Sequence, residues 1–133
     1  MEFSGEYIYH SMRREERELI ISRIRDILRE YGISLGILFG SFVELNEFRD
    51  IDIAVYGKNL DLNALLSLGT RLEEVLGMPV DVVPLINIDP KFRLSIMEHG
   101  LIILEAVDGL YEALIRETLD ELYLVMRDDD SIQ

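Results

Sequence analysis

Apolar residues recur along the chain with two different periods, and these periods predict an alternation of helices and strands. Between residues 11 and 31, Ile20, Ile24 and Ile27 recur every three or four positions, which is typical of the buried face of a helix. Shorter apolar runs that are bounded by glycine, proline or polar residues predict strands instead. Four strands are predicted, over residues 33–39, 50–56, 78–85 and 101–105.

Local signals predict where the first two long helices begin and end. Ser11 is a candidate cap for the first helix, and Gly32 is expected to stop it. Asp61 is expected to cap a second helix that ends near Gly77. The leucines of this second helix are predicted to form one buried stripe, made of Leu62, Leu65, Leu66, Leu72 and Leu76.

The C-terminal third of the chain predicts two more helices. Asp89 at the N-cap and Pro90 at the first helical position begin a helix that runs to His99. A last helix, over about residues 108–127, is predicted to open at Asp108. Its inward residues are predicted to be Leu110, Leu114, Ile115, Leu119, Leu122, Val125 and Met126. The acidic residues 128–130 are expected to form a frayed, solvated tail.

These elements predict a single α/β (α+β) domain over residues 1–133, with one layer of sheet and helices packed against it. The N-terminal helix covers about residues 11–31, a core that holds all four strands covers about 33–105, and the C-terminal helix covers about 108–127. Residues 7–9, which read Tyr-Ile-Tyr, are a candidate edge strand or contact to a partner.

Composition and charge narrow the classes of function. The 133 residues carry a net charge of −13, whereas nucleic-acid binders present a basic surface, so direct binding of DNA or RNA is not expected. An acidic surface suits a basic protein partner, although solubility alone also explains it. The chain has no cysteine, no apolar run of the about 18–20 residues needed to span a membrane, and no basic or apolar N-terminus. We therefore expect a cytoplasmic protein without a signal peptide.

The strongest basic cluster is formed by Arg13, Arg14 and Arg17 in the first helix. Glutamates alternate with these arginines, at positions 15, 16 and 18. This arrangement favours a solvated helix face with ion pairs over a binding patch.

The chemistry of the chain is concentrated in residues 37–56. An apolar run stops at Gly40-Ser41, and the next strand begins with Asp50 and Asp52, whose side chains point to the same face because strand residues alternate. Two carboxylates on one face repel each other, and a divalent cation such as Mg²⁺ removes that repulsion. The alternative interpretation is that Asp50 and Asp52 are simply a pair at the start of a strand and face solvent on an uncovered side of the sheet. Ser41 is expected to cap a short helix over residues 42–46, whose free N–H groups would bind phosphate.

Two other classes of catalytic site are not supported by the sequence. His10 and His99 lack metal-ligand spacing and do not complete a Ser-His-Asp arrangement. The chain also lacks the GxxxxGK[ST] motif of P-loop NTPases.

The Gly40-Ser41 turn followed by the Asp50-x-Asp52 strand resembles the signature of the polymerase-β-like nucleotidyltransferase superfamily, and most closely that of its minimal nucleotidyltransferase (MNT) proteins. The resemblance implies a mixed sheet of about four strands and a third metal-binding carboxylate on a later strand, for which Asp81 has the matching context. The family implies that Asp81 completes the metal site and accepts the proton of the attacking hydroxyl. Family members usually continue with Ala-Arg-Gly after Gly-Ser-x, whereas this chain reads Phe-Val-Glu over residues 42–44, so Glu44 stands where a basic residue is expected. They also usually have serine where this chain has Arg49.

The resemblance implies a Mg²⁺-dependent nucleotidyltransferase. Asp50, Asp52 and Asp81 would be both the metal ligands and the catalytic residues, and Gly40, Ser41 and Arg49 would bind the nucleotide. MNT proteins typically pair with all-helical HEPN ribonuclease toxins, so the chain is expected to be an antitoxin that transfers AMP from ATP to a tyrosine of a basic HEPN partner in a hetero-oligomer. One alternative is an antitoxin that acts by binding alone, because Glu44 replaces a basic residue of the phosphate site. A second alternative is a transferase that modifies a small molecule of the aminoglycoside type.

Overall fold

The computed structural model describes residues 10–45 and 47–132, and within them the side chains of residues 12–45 and 47–128. The helices in these ranges are α1 (Arg14–Glu30), α2 (Ser41–Glu44), α3 (Leu62–Leu76), α4 (Pro90–His99) and α5 (Leu110–Ile132). The strands are β1 (His10–Ser11), β2 (Ile33–Phe39), β3 (Glu47–Phe48), β4 (Ile51–Gly57), β5 (Val80–Pro84) and β6 (Leu101–Glu105). The predicted α/β class is confirmed.

Four strands form one mixed sheet in the order β5-β4-β2-β6. Strand β2 is antiparallel to both of its neighbours, whereas β4 and β5 are parallel. A parallel pair needs a crossover connection, and α3 provides it. The two-residue strands β1 and β3 pair separately as an antiparallel ribbon that was not predicted.

The sheet is covered on both faces because its central strands are apolar on both. On one face, Ile51, Ile53 and Val55 of β4 belong to a core with residues of α1 and α3. On the other face, Ala54 packs in a second core with Ile96 of α4 and other residues of α4 and α5. The alternation of β4 therefore places Asp52 on the same face as α4 and α5.

Most of the predicted boundaries lie close to those of the structure, but some do not. Strands β2 and β6 have the predicted bounds, and Gly32 follows α1 with a φ of +70°. The prediction that Ser11 caps α1 was wrong, because Ser11 lies in β1 and Arg13 is the N-cap. Asp108 does not open α5, which begins at Leu110, after a turn. The carboxylate of Glu105 accepts a hydrogen bond of 2.8 Å from the second amide of α5. Helix α2 ends at Glu44 and Leu45 is extended, so the prediction that this helix reaches position 46 was wrong. Position 46 itself lies outside the described residues, as do residues 7–9.

The leucine stripe predicted for α3 was partly wrong. Leu72 is buried, but Leu62 and Leu66 are 69% and 60% exposed, and Leu68 takes their place in the core. The buried side of α3 is narrower than the stripe suggested, because the helix packs mainly against β5 and α1.

Helix α5 packs only through its first half. Leu114 is buried, whereas Leu119, Val125 and Met126, which were predicted to face inward, are 50%, 48% and 63% exposed. The helix also continues to Ile132, so the expected frayed tail at 128–130 is helical. No helix in the described part of the chain combines the length and apolar character required to cross a membrane.

Candidate metal and nucleotide site

Three carboxylates meet at one edge of the sheet. Asp50 directly precedes β4, Asp52 is the second residue of β4, and Asp81 is the second residue of β5. Because β4 and β5 run parallel, Asp52 and Asp81 lie directly beside each other in register. One carboxylate oxygen of each residue lies within 4.8 Å of the others. The three residues that the sequence singled out as metal ligands therefore form one cluster.

The electrostatics of the cluster are unfavourable without a cation. The pKa of Asp52 is raised from 3.8 to about 6, first by burial, then by the negative charges of Asp50 and Asp81 and a hydrogen bond with Asp81. Arg49 acts in the opposite direction and lowers that pKa. Its Nε lies 3.9 Å from Asp50 Oδ2, but both side chains are partly solvated, so this ion pair contributes little stability.

The donor set fits a hard divalent cation. All three donors are carboxylate oxygens, which is the ligand type that Mg²⁺ prefers, and opposite ligands of one Mg²⁺ lie roughly 4.2 Å apart. The spread of 4.8 Å is close to that span. Asp52 is half-buried and Asp81 is exposed, so the cluster is open to an incoming phosphate on one side.

Gly40 is required next to this cluster. Its φ of +78° and ψ of −154° are essentially restricted to glycine. A Cβ at this position would also overlap Oδ2 of Asp52. The glycine therefore lets the end of β2 pass directly under the Asp52 carboxylate.

The turn after β2 differs from its predicted form in one detail. Gly40, and not Ser41, is the N-cap of α2, and Ser41 is the first helical residue. The carbonyl of Gly40 accepts hydrogen bonds of 3.0 Å from the amides of Val43 and Glu44. Ser41 remains part of this turn, directly after the glycine that adjoins Asp52.

Arg17 secures this turn to α1, which the sequence did not indicate. Its guanidinium donates a hydrogen bond to the carbonyl of Phe42 and lies 4.2 Å from the centre of the Phe42 ring. The Phe42 ring in turn meets Phe48 edge to face at 4.8 Å. The expectation of a purely solvated arginine cluster was therefore wrong for Arg17, while Arg13 and Arg14 do form exposed ion pairs with glutamates of the same helix. No periodic signal distinguishes Arg17, because its partner lies 25 residues away.

A shallow groove of about 480 Å³ adjoins the cluster on the β5 side. Its walls are α3 and β5, and they include Asp81, the exposed Leu62 and Leu66, and Thr70. The backbone amide of Val80 in β5 is not available to a ligand in this groove, because it donates a hydrogen bond of 3.0 Å to the Glu73 carboxylate.

Residues 22–108 match the family model described as polymerase beta, nucleotidyltransferase. The protein belongs to this nucleotidyltransferase family, and the matched range contains the whole carboxylate cluster together with the Gly40-Ser41 turn.

Solved structures place the fold more narrowly. The chain is similar to the MNT antitoxin of a tri-AMPylated HEPN toxin complex from Shewanella oneidensis, with 24% identity, coverage of 87% of this chain and 94% of that chain, and a TM-score of 0.72. A crystal structure of a toxin–antitoxin with AMP-PNP matches with 25% identity, 84% and 94% coverage and a TM-score of 0.73. The MntA–HepT toxin–antitoxin structure matches with 24% identity, 86% and 94% coverage and a TM-score of 0.71. No curated protein matches the sequence significantly. The predicted resemblance to MNT proteins is confirmed.

Proposed function

We propose that the protein is a Mg²⁺-dependent adenylyltransferase that moves AMP from ATP to a tyrosine hydroxyl of a HEPN toxin and so acts as its antitoxin. The observation that carries this proposal is the convergence of Asp50, Asp52 and Asp81 beside the Gly40 turn. The AMP-PNP and the AMPylated toxin of the similar complexes support the choice of nucleotide and acceptor.

Each residue of the site has a role in this proposal. Asp50, Asp52 and Asp81 would hold Mg²⁺, which when bound would neutralise phosphate charge and act as a Lewis acid. Gly40 and Ser41 would receive the outer phosphates on their backbone amides, and Arg49 would add a positive charge at the rim. Asp81, the most exposed carboxylate, would accept the proton of the attacking hydroxyl.

The proposed reaction is an in-line displacement. A bond forms between the acceptor oxygen and the α-phosphorus, the bond from that phosphorus to the β-phosphate oxygen breaks, and pyrophosphate leaves with its electron pair. The acceptor proton passes to Asp81. The open side of the cluster at Asp81 suits an acceptor carried by another protein, because a macromolecule needs an unobstructed approach.

The experiment incubates the protein with a HEPN toxin, Mg²⁺ and ATP labelled at the α-phosphate. Label and the mass of one AMP residue should appear on the toxin and should be lost in Asp52→Asn, because the variant lacks one of the three negative charges that would hold the metal. Asp26→Asn, an exposed change on α1, is the control and should retain transfer. Transfer by Asp52→Asn at the wild-type rate would disprove the proposed site.

A second candidate, neutralisation by binding alone, is favoured by two observations. Glu44 is exposed on α2 near the proposed phosphate turn, where its negative charge disfavours the binding of an anionic ligand. The second half of α5 exposes Leu119, Tyr123 and Met126, which is a surface suited to a protein contact. Full neutralisation of the toxin by the Asp50→Ala, Asp52→Ala double variant would establish this candidate, whereas loss of neutralisation with retained complex formation would support catalysis.

A further inference from the structure

An aromatic residue shares a row of the sheet with two of the carboxylates. Phe39, Asp52 and Asp81 are direct register partners across β2, β4 and β5. Residues directly opposite each other in neighbouring strands point to the same face, and neighbouring strands lie about 4.8 Å apart. The Phe39 side chain is therefore one strand away from Asp52, on the face that carries α4.

A second aromatic ring extends this row by contact with Phe39 and is open to solvent. Phe92, in the first turn of α4, meets Phe39 edge to face, with ring centroids 5.9 Å apart and an angle of 80°. Phe92 nevertheless remains 45% exposed. The Phe39 contact therefore holds the Phe92 ring while leaving much of its surface open to solvent.

The start of α4 is firmly positioned. The Asp89 carboxylate accepts hydrogen bonds of 3.2 and 3.3 Å from the amides of Lys91 and Phe92, and Pro90 occupies the first turn. Arg93, which is buried, donates hydrogen bonds to the carbonyls of Leu85 and Ile88 and so ties the same turn to the end of β5. The Phe92 ring is consequently preorganised, which lowers the entropic cost of binding a ligand against it.

We propose that Phe92, supported by Phe39, is the stacking surface for the base of the donor nucleotide. This inference rests on the proposed function, because it assumes that the triphosphate occupies the carboxylate cluster and the Gly40 turn. The row of side chains then provides metal ligands for the phosphates at Asp52 and Asp81 and an open aromatic ring beside them. A flat base against an aromatic ring buries apolar surface of both, and the exposed part of the Phe92 ring is available for that contact.

The alternative is that Phe92 only covers the rim of the second core. The stacking role and the packing role of Phe92 predict different effects on the affinities for two ligands. A stacking surface contributes to the affinity for a nucleotide and contributes nothing to the affinity for inorganic tripolyphosphate, which has no base. A packing role affects both ligands equally, through stability.

The test measures binding of Mg²⁺ with α,β-methylene-ATP, and separately with tripolyphosphate, by calorimetry of the full chain without partner. Phe92→Ala and Phe92→Leu should weaken nucleotide binding by about 5- to 100-fold and leave tripolyphosphate binding unchanged. The leucine variant retains an apolar contact with Phe39 if the alanine variant does not fold. Leu124→Ala, at a residue of α5 with a similar exposure of 48%, is the matched control and should change neither affinity.

The chain contains no tryptophan, so Phe92→Trp creates a single fluorescent reporter. Its emission should change on addition of the nucleotide and not on addition of tripolyphosphate, with nucleotide affinity retained. Unchanged nucleotide binding by Phe92→Ala, or an equal loss for both ligands, would overturn the inference while leaving the proposed function intact. Failure of the wild-type protein to bind either ligand would instead refute the proposed function itself.

Discussion

At the scale of single residues, Gly40 makes the site possible, and its replacement tests that role. Gly40→Ala should destabilise the fold by about 2–3 kcal/mol and abolish nucleotide transfer, because the backbone is strained for alanine and the new methyl group displaces Asp52. Thermal unfolding and the transfer assay measure the two effects. Gly77→Ala is the control: its φ is +72° but the space around it is open, so we expect a loss of about 1 kcal/mol and normal transfer. Equal transfer by both variants would contradict the assigned role.

The raised pKa of Asp52 predicts that the stability of the folded protein depends on pH. Its pKa of about 6 in the folded protein exceeds the ordinary 3.8, so ionisation destabilises the fold. The loss in the free energy of unfolding that this ionisation causes is absent below about pH 4, grows between pH 4 and 6, and is complete above pH 6. Because water reaches the site, we expect a penalty of about 1–2 kcal/mol at neutral pH without metal. Asp52→Asn should therefore unfold at a temperature several degrees higher than wild type at pH 7.5 in EDTA, and at a similar temperature at pH 4.

The same measurement with added Mg²⁺ distinguishes a metal site from a repulsive cluster. Mg²⁺ should raise the unfolding temperature of the wild-type protein and leave that of Asp52→Asn unchanged, since binding to the folded state stabilises it. An equal response of the two proteins would show that the ion binds elsewhere.

At the scale of elements, Arg17 connects α1 to the turn that begins at Gly40, so it is expected to act as a positioning residue. Arg17→Lys loses the planar guanidinium that lies on Phe42 and should raise the KM for ATP roughly 3- to 10-fold, with a smaller effect on kcat. Arg14→Lys is the control, because the Arg14 side chain is 89% exposed. A loss of stability in Arg17→Lys with an unchanged KM would show that Arg17 supports the fold alone.

At the scale of the whole molecule, the net charge of −13 predicts how a basic partner associates with the protein. The association rate constant should fall roughly tenfold between about 50 mM and about 500 mM NaCl, because salt screens long-range attraction. The dissociation rate constant, which depends on short-range contacts, should change much less. Stopped-flow mixing at both salt concentrations measures the two constants. An association rate that is independent of salt would indicate that the acidic surface serves solubility only.

Much of the chain is locally encoded, and these parts agreed with the sequence-based predictions. Asp89 and Pro90 begin α4, and Gly32 and Gly77 follow the helices that they were expected to end. These signals involve residues only a few positions apart, so they do not depend on the rest of the fold. The grouping of Asp50 and Asp52 was also predicted locally, from strand alternation, and the two carboxylates do lie together even though Asp50 directly precedes β4.

Other features depended on contacts between distant segments. The sequence contains a leucine stripe on α3 and an apolar run on α5, but it does not reveal which side finds a partner, and Leu62, Leu66 and Met126 are exposed. Arg17 was grouped with solvated arginines because its contact with Phe42 crosses 25 residues. Nothing in the sequence distinguishes Phe92, and only the strand register and its contact with Phe39 relate it to Asp52 and Asp81.

The sequence by itself determined the α/β class, most helix and strand boundaries, and the residue types of the candidate site. Periodicity, capping residues and residue identity are local properties, so they can be recognised without knowing which segments of the chain pack together. Only the tertiary structure decided that Asp81 lies in register with Asp52, that Gly40 passes beneath that carboxylate, and which apolar residues remain uncovered. These features arise from strand order and packing, because the free energy of each contact depends on a partner that lies far away in the chain.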